Sequence, residues 1–160
     1  MYERFGEFDS AEEINETAVN LRREGDTESI KVLAKENGID EEIAKYFIEG
    51  DLLFLCDKVT AAIGKLEIEA ETMKCAEIFE DWVTYLKTQS IENENLAIAI
   101  RKKGKTLAGA ITALLKWSFN HKTKIPEEIK KAAGISGNCE LGMPGQARAK
   151  KIMTDYYLGE

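Results

Sequence analysis

Only two prolines, Pro126 and Pro144, interrupt 160 residues, and nearly the whole chain is therefore free to be helical. Local punctuation marks where the helices begin and end. Ser10-Ala11-Glu12-Glu13 is a capping box, in which a Ser hydroxyl and a Glu carboxylate each satisfy a backbone N–H that a first turn leaves unpaired; it predicts a helix running to Gly25. A second helix is predicted over about 27–37, closing at Gly38, and a third from the N-cap Asp40 to Gly50. Between Asp57 and Gln89 a long helical stretch carries Ile78, Phe79, Trp82, Val83 and Leu86 at helical spacing, a wide apolar stripe that reads as core. Further helices are predicted over about 93–103, 107–120, 126–133 and 144–158, the prolines taking first-turn positions where a missing N–H costs nothing. Alternating patterns at Leu66-Glu67-Ile68-Glu69 and over 96–100 lie inside helical windows, so no strand is predicted, a short hairpin being the most that would fit. The fold class is all-α: a multi-helix bundle with a small acidic three-helix unit over 1–50, a joint at 51–56 and a larger helical body over 57–160.

Charge changes sign along this helical chain. Residues 1–100 hold 24 Asp or Glu against 10 Lys or Arg, whereas residues 101–160 hold 5 against 12. Solubility is served as well by interspersed charge, so blocks of one sign bear on partners and association rates. The front suits a basic partner and the rear a polyanion; the alternative is that the two ends attract each other across a folded interface. With 44% hydrophobic and 32% charged residues, the composition is that of a soluble globular protein with one respectable core. No apolar run approaches the roughly 18 to 20 residues that span a bilayer, and the start MYERFGEFDS lacks a basic region and an apolar core, so a cytoplasmic location and no membrane partner are expected. Cys56, Cys75 and Cys139 form no CxxC pair and read as reduced structural thiols, with no zinc site and no disulfide framework.

Several constellations imitate chemistry. Residues 32–50 have the outline of a helix-turn-helix, with Ala34 and Gly38 at the small-residue and turn positions, but the second helix would present Asp40, Glu41, Glu42 and Glu49 with only Lys45. Carboxylates repel phosphates, so this segment reads as a protein-interaction unit. Gly104-Lys105-Thr106 resembles the end of a P-loop, yet Ala99 stands where the first glycine belongs and no strand precedes it; a helix break at Gly104, with Thr106 capping the next helix, explains it better. The break gathers Arg101, Lys102, Lys103 and Lys105 into a candidate phosphate or carboxylate contact, and a glycine-rich loop leads to a second basic group, Arg148, Lys150 and Lys151. His121, the single histidine, lies in a basic stretch that looks like a helix end and reads as a C-terminal cap. Glu77, Glu80 and Asp81 belong to a carboxylate-rich helix face that, with Glu41, Glu42 and Glu49, offers acidic contacts to a partner. No catalytic residue, metal ligand or cofactor is expected.

From Asn95 the chain reads NLAIAIRKKGKTLAGAITALLKWSF, and it ends in a helix bearing Tyr156 and Tyr157. Over roughly the last 65 residues this resembles the PcfK-like proteins of conjugative plasmids and integrative elements of Firmicutes, with Lys105, Thr106, Ile111, Tyr156 and Tyr157 at the matching positions. The resemblance implies an accessory protein of a mobile element, and such elements also encode inhibitors of the RNA-guided nuclease Cas9. A Cas9-type CRISPR nuclease holds nucleic acid in basic channels, which an acidic helical face can occupy. The expected function is thus an anti-CRISPR protein that acts by non-catalytic binding. The alternative is a nucleic-acid-binding accessory protein of conjugation that uses Arg101 to Lys105 and Arg148 to Lys151.

Overall fold

The computed structural model describes residues 3–159, and nine α-helices with one two-stranded ladder run through them. The fold is all-α. Two compact units divide the chain, Met1–Leu107 (unit 1) and Ala108–Glu160 (unit 2), so the division falls at the start of the 107–120 helix and not at the expected joint over 51–56.

Unit 1 opens with α1 (Ala11–Glu24), α2 (Thr27–Glu36) and α3 (Glu41–Glu49), each bounded as its caps dictate. Ser10 Oγ accepts from Glu13 N–H at 3.2 Å, Asp40 accepts from Glu42 N–H at 2.7 Å, and Gly25 and Gly50 close α1 and α3 at φ 75° and 92°, where a side chain would be strained. The Glu13 carboxylate reaches Asp9 N–H at 2.8 Å, one residue before the position the capping box implies. Ile14, Ala18, Ile30, Leu33, Ala44 and Phe47 from these helices share one core with Leu55, Cys56 and Ala61. Leu55 and Cys56, at the end of the expected joint, are therefore part of this core, while residues 51–54 stay exposed.

The long helix expected over 57–89 is two helices, α4 (Lys58–Met73) and α5 (Ile78–Glu92). Lys74 at φ 52° and Glu77 at φ 54° turn the chain between them, and they are the two non-glycine residues with positive φ among those described, Lys74 alone being in the left-handed helical region. Nothing in Met73-Lys74-Cys75-Ala76-Glu77 announces a stop, because no glycine, proline or asparagine marks it. The turn also divides the apolar stripe: Val83 and Leu86 are buried, Trp82 is half-buried, and Ile78 and Phe79 remain exposed. Helix α6 (Glu94–Arg101) packs with α5 on α4, its N-cap Asn93 accepting from Leu96 N–H at 3.2 Å.

Where the end of α2 crosses α4, backbone meets backbone. A Cβ on Gly64 would collide with the Asn37 carbonyl, and one on Gly38 with Gly64 itself. Only two glycines permit that approach.

Unit 2 contains the rest of α7 (Leu107–Asn120), then α8 (Glu127–Ala132) and α9 (Gln146–Leu158). Ala110, Leu114, Ala149, Met153 and Tyr157 are buried, and a Cβ on Gly109 would meet the Tyr156 ring, which places α7 hard against α9. Contrary to the strand-free expectation, β1 (Thr123–Lys124) pairs antiparallel with β2 (Glu140–Leu141) around α8. Two residues a side is too short for a period-two pattern to show in the sequence. Neither proline sits in a first turn: Pro126 is the N-cap of α8, and Pro144 precedes Gly145, the N-cap of α9.

Candidate partner-binding surface

The acidic candidates occupy two places. Glu41, Glu42 and Glu49 are exposed on α3 and line a groove of about 490 Å³ with Thr27, Lys31, Lys45 and Ile48. Its two lysines have carboxylate partners on their own helices: Lys45 lies 4.0 Å from Glu49, and Lys31 donates to Glu28 at 2.8 Å, the bond that contributes most to raising the Lys31 pKa. Capping fixes this face, since Asp40 must hold the first turn while Ala44 and Phe47 face inward, and the carboxylates are left pointing to water. Glu80 and Asp81 line another concavity, between α4 and α5, with Glu67, Glu71, Lys74 and Lys87. Glu77 is the N-cap of α5 and does not line it.

The basic corner is not what its four cations suggest. Arg101 is 2% exposed, and its Nη2 donates to Asn37 Oδ1 at 2.7 Å. Lys102 Nζ lies 3.0 Å from Asp9 Oδ2, Lys103 N–H donates to Asp9 Oδ1 at 2.9 Å, and Lys103 Nζ lies 3.9 Å from Glu13. These contacts hold the Asp9 carboxyl below its ordinary value, the Lys103 N–H contributing most and the Lys102 ammonium next. Beneath them Lys65, fully buried, donates to Glu7 Oε1 at 2.6 Å and to the Lys102 carbonyl at 2.9 Å. Glu69 is buried beside it; desolvation raises its pKa, against the Leu107 N–H that its carboxylate accepts at 2.6 Å. A buried charge is tolerable only when paired and hydrogen-bonded, and this network meets that condition for Lys65. Lys105 is half-buried beyond Gly104. The four cations therefore share a corner in sequence, while three of them are engaged by the front of the same unit.

That engagement redistributes the charge. Unit 1 takes in four of the twelve rear cations and carries a net −10, and unit 2 keeps a net of only +3. On α9, Arg148 is exposed, Lys150 is half-buried, and Lys151 is tied to Asp155 at 3.0 Å. His121 Nδ1 lies 2.8 Å from the Trp117 carbonyl, which can only accept, so the imidazole caps the end of α7 while stacking on the Trp117 ring at 4.3 Å. Burial pushes the Cys56 thiol up to about 12, so it stays protonated and inert. No group of metal-ligating side chains occurs among the described residues, and no helix among them is long and apolar enough to cross a membrane.

One feature escaped the sequence reading. Leu53 and Phe54 are 75% and 65% exposed, and Tyr46 and Leu52 also face solvent. The sequence marks 51–56 only as a joint; the sign of exposure was that these residues lie between the Gly50 C-cap and the Asp57 N-cap, outside any helical period. No protein-family model, curated protein or solved structure matches this chain, so function has to be argued from the surfaces that unit 1 and unit 2 each present.

Proposed function

We propose that this chain is a non-catalytic binding protein whose acidic unit 1 occupies a basic, nucleic-acid-handling surface of another protein, and that the partner class is a Cas9-type CRISPR nuclease, as the PcfK-like resemblance implies. The observation that carries the reading is the α3 face, where Glu41, Glu42 and Glu49 stand exposed on a unit of net −10 whose own cations are largely occupied internally. Such a face accelerates encounter with a basic channel and competes there with nucleic acid. No cofactor or metal enters this mode of action.

Purified chain and guide-loaded nuclease should form a salt-sensitive complex, and DNA cleavage should fall as the chain is titrated in. The triple variant Glu41→Lys/Glu42→Lys/Glu49→Lys should slow association by about tenfold or more at low salt. No complex and no loss of cleavage at micromolar concentrations removes the reading. A nucleic-acid accessory role rests on the exposed Arg148 and the +3 of unit 2. For that role, charge reversal at Arg148, Lys150 and Lys151 should weaken a mobility shift, and the α3 triple variant should leave it unchanged or stronger.

A further inference from the structure

Leu52, Leu53 and Phe54 connect α3 to α4, and the backbone that carries them is held at both ends by side chains of α1. Arg22 Nη1 donates to the carbonyls of Phe47 at 2.9 Å and Leu52 at 3.1 Å, and its guanidinium lies 4.2 Å from the centroid of the Phe47 ring. Asn15 Oδ1 accepts from Leu55 N–H at 2.9 Å and Cys56 N–H at 3.1 Å, while its Nδ2 donates to the Cys56 carbonyl at 2.8 Å. Leu55 and Cys56 then enter the core. A backbone so tied cannot turn its side chains inward, and leaving Leu53 and Phe54 in water forgoes the stabilisation that burying them would give. An apolar tip on a fixed backbone loses little conformational freedom when it binds, which is the property an interface anchor needs.

The charge around the loop selects the occupant. Glu49 and Asp51 precede it and Asp57 follows; Phe54 lines a concavity of about 540 Å³ with Glu12, Asp57 and Glu94. Lys58 lies in the same concavity and is already bonded to Glu94 at 2.7 Å. An anionic membrane would be repelled by this rim. A second copy would set like carboxylates against each other.

We infer that Leu53 and Phe54 are the apolar anchor by which unit 1 docks into an apolar pocket bordered by Lys and Arg on a protein partner, with Glu12, Asp51 and Asp57 pairing with that border. The inference rests on the reading of unit 1 as an acidic binding module and adds where its residence is decided: the α3 carboxylates govern the rate of encounter, and the loop governs how long the complex lasts.

The test follows backbone amide NMR signals of the full chain while a helical leucine–lysine peptide is added. The expected result is a response centred on residues 52–56 that weakens about tenfold or more in the variant Leu53→Ser/Phe54→Ser, which alters no charge and removes no buried side chain. A response confined to α3, or one equal in the variant, overturns the inference. So does an equal response to a leucine–glutamate peptide or to phosphatidylglycerol vesicles, and so does a shift of the loop signals with protein concentration alone, which would make the occupant a second copy. Nuclease binding is read separately. Native affinity in the double variant overturns the anchor and leaves the proposed function standing; failure of the native chain to bind nuclease, with the peptide result intact, overturns the partner and leaves the anchor standing.

Discussion

Asp9 accepts from Lys103 N–H and from Lys102 Nζ, so one carboxylate joins the entry to α1 with the end of α6. Its folded pKa lies below the ordinary 3.8, which means that its stabilising effect is present above 3.8 and is lost as pH falls through the lower folded value. The urea midpoint of the native chain should therefore drop on acidification below 3.8, and Asp9→Asn should start lower near neutrality and drop less. Because the pair is solvent-exposed, the difference should be small and should shrink in high salt. At this scale the sequence was least legible. Arg101 stood in a run of cations that reads as surface, yet it is buried and bonded to Asn37, 64 positions away; Asn15, whose partners are about forty positions away, carried no local sign of its role.

Helices were legible wherever their limits are set locally. Ser10, Asp40, Gly25 and Gly50 act within one turn of their own positions, and α1 and α3 end where those residues place them. The break between α4 and α5 is different in kind. Lys74 and Glu77 adopt positive φ without the residue type that favours it, so tertiary packing has overridden local preference and divided the apolar stripe at Ile78 and Phe79. The crossing of α2 over α4 is likewise set by contact: Gly64 is an ordinary helical position in sequence and a point of backbone contact in the fold. Gly64→Ala should force α2 and α4 apart and cost about 2–3 kcal/mol, read as a lower urea midpoint. Alanine is the better helix former, so a gain in stability would show that the two backbones do not meet there.

Scaled to the molecule, the boundary after Leu107 makes a definite claim about what folds alone. The first three helices leave Leu55, Cys56 and Ala61 out of their core if the chain stops at Gly50, whereas a chain ending at Leu107 keeps every member of it. The longer fragment should melt cooperatively by circular dichroism, and the fragment ending at Gly50 should not. The all-helical class could be read from the scarcity of proline and the caps, but the charge separation that was equally plain in sequence is partly spent inside unit 1, where Asp9 and Glu13 meet Lys102 and Lys103. What remains for a partner is an acidic unit and a mildly basic one, in place of two strongly opposed halves.

The pairing of Asp9 with Lys102 closes the first unit across 93 positions of chain. During synthesis at about 5–20 residues per second, roughly 5–20 s separate the emergence of Asp9 from that of Lys102. The core that Leu55, Cys56 and Ala61 complete has left the ribosome before Lys102 does, so over the later part of that interval Leu53 and Phe54 already stand in water beside it, where a chaperone or protease would meet them first.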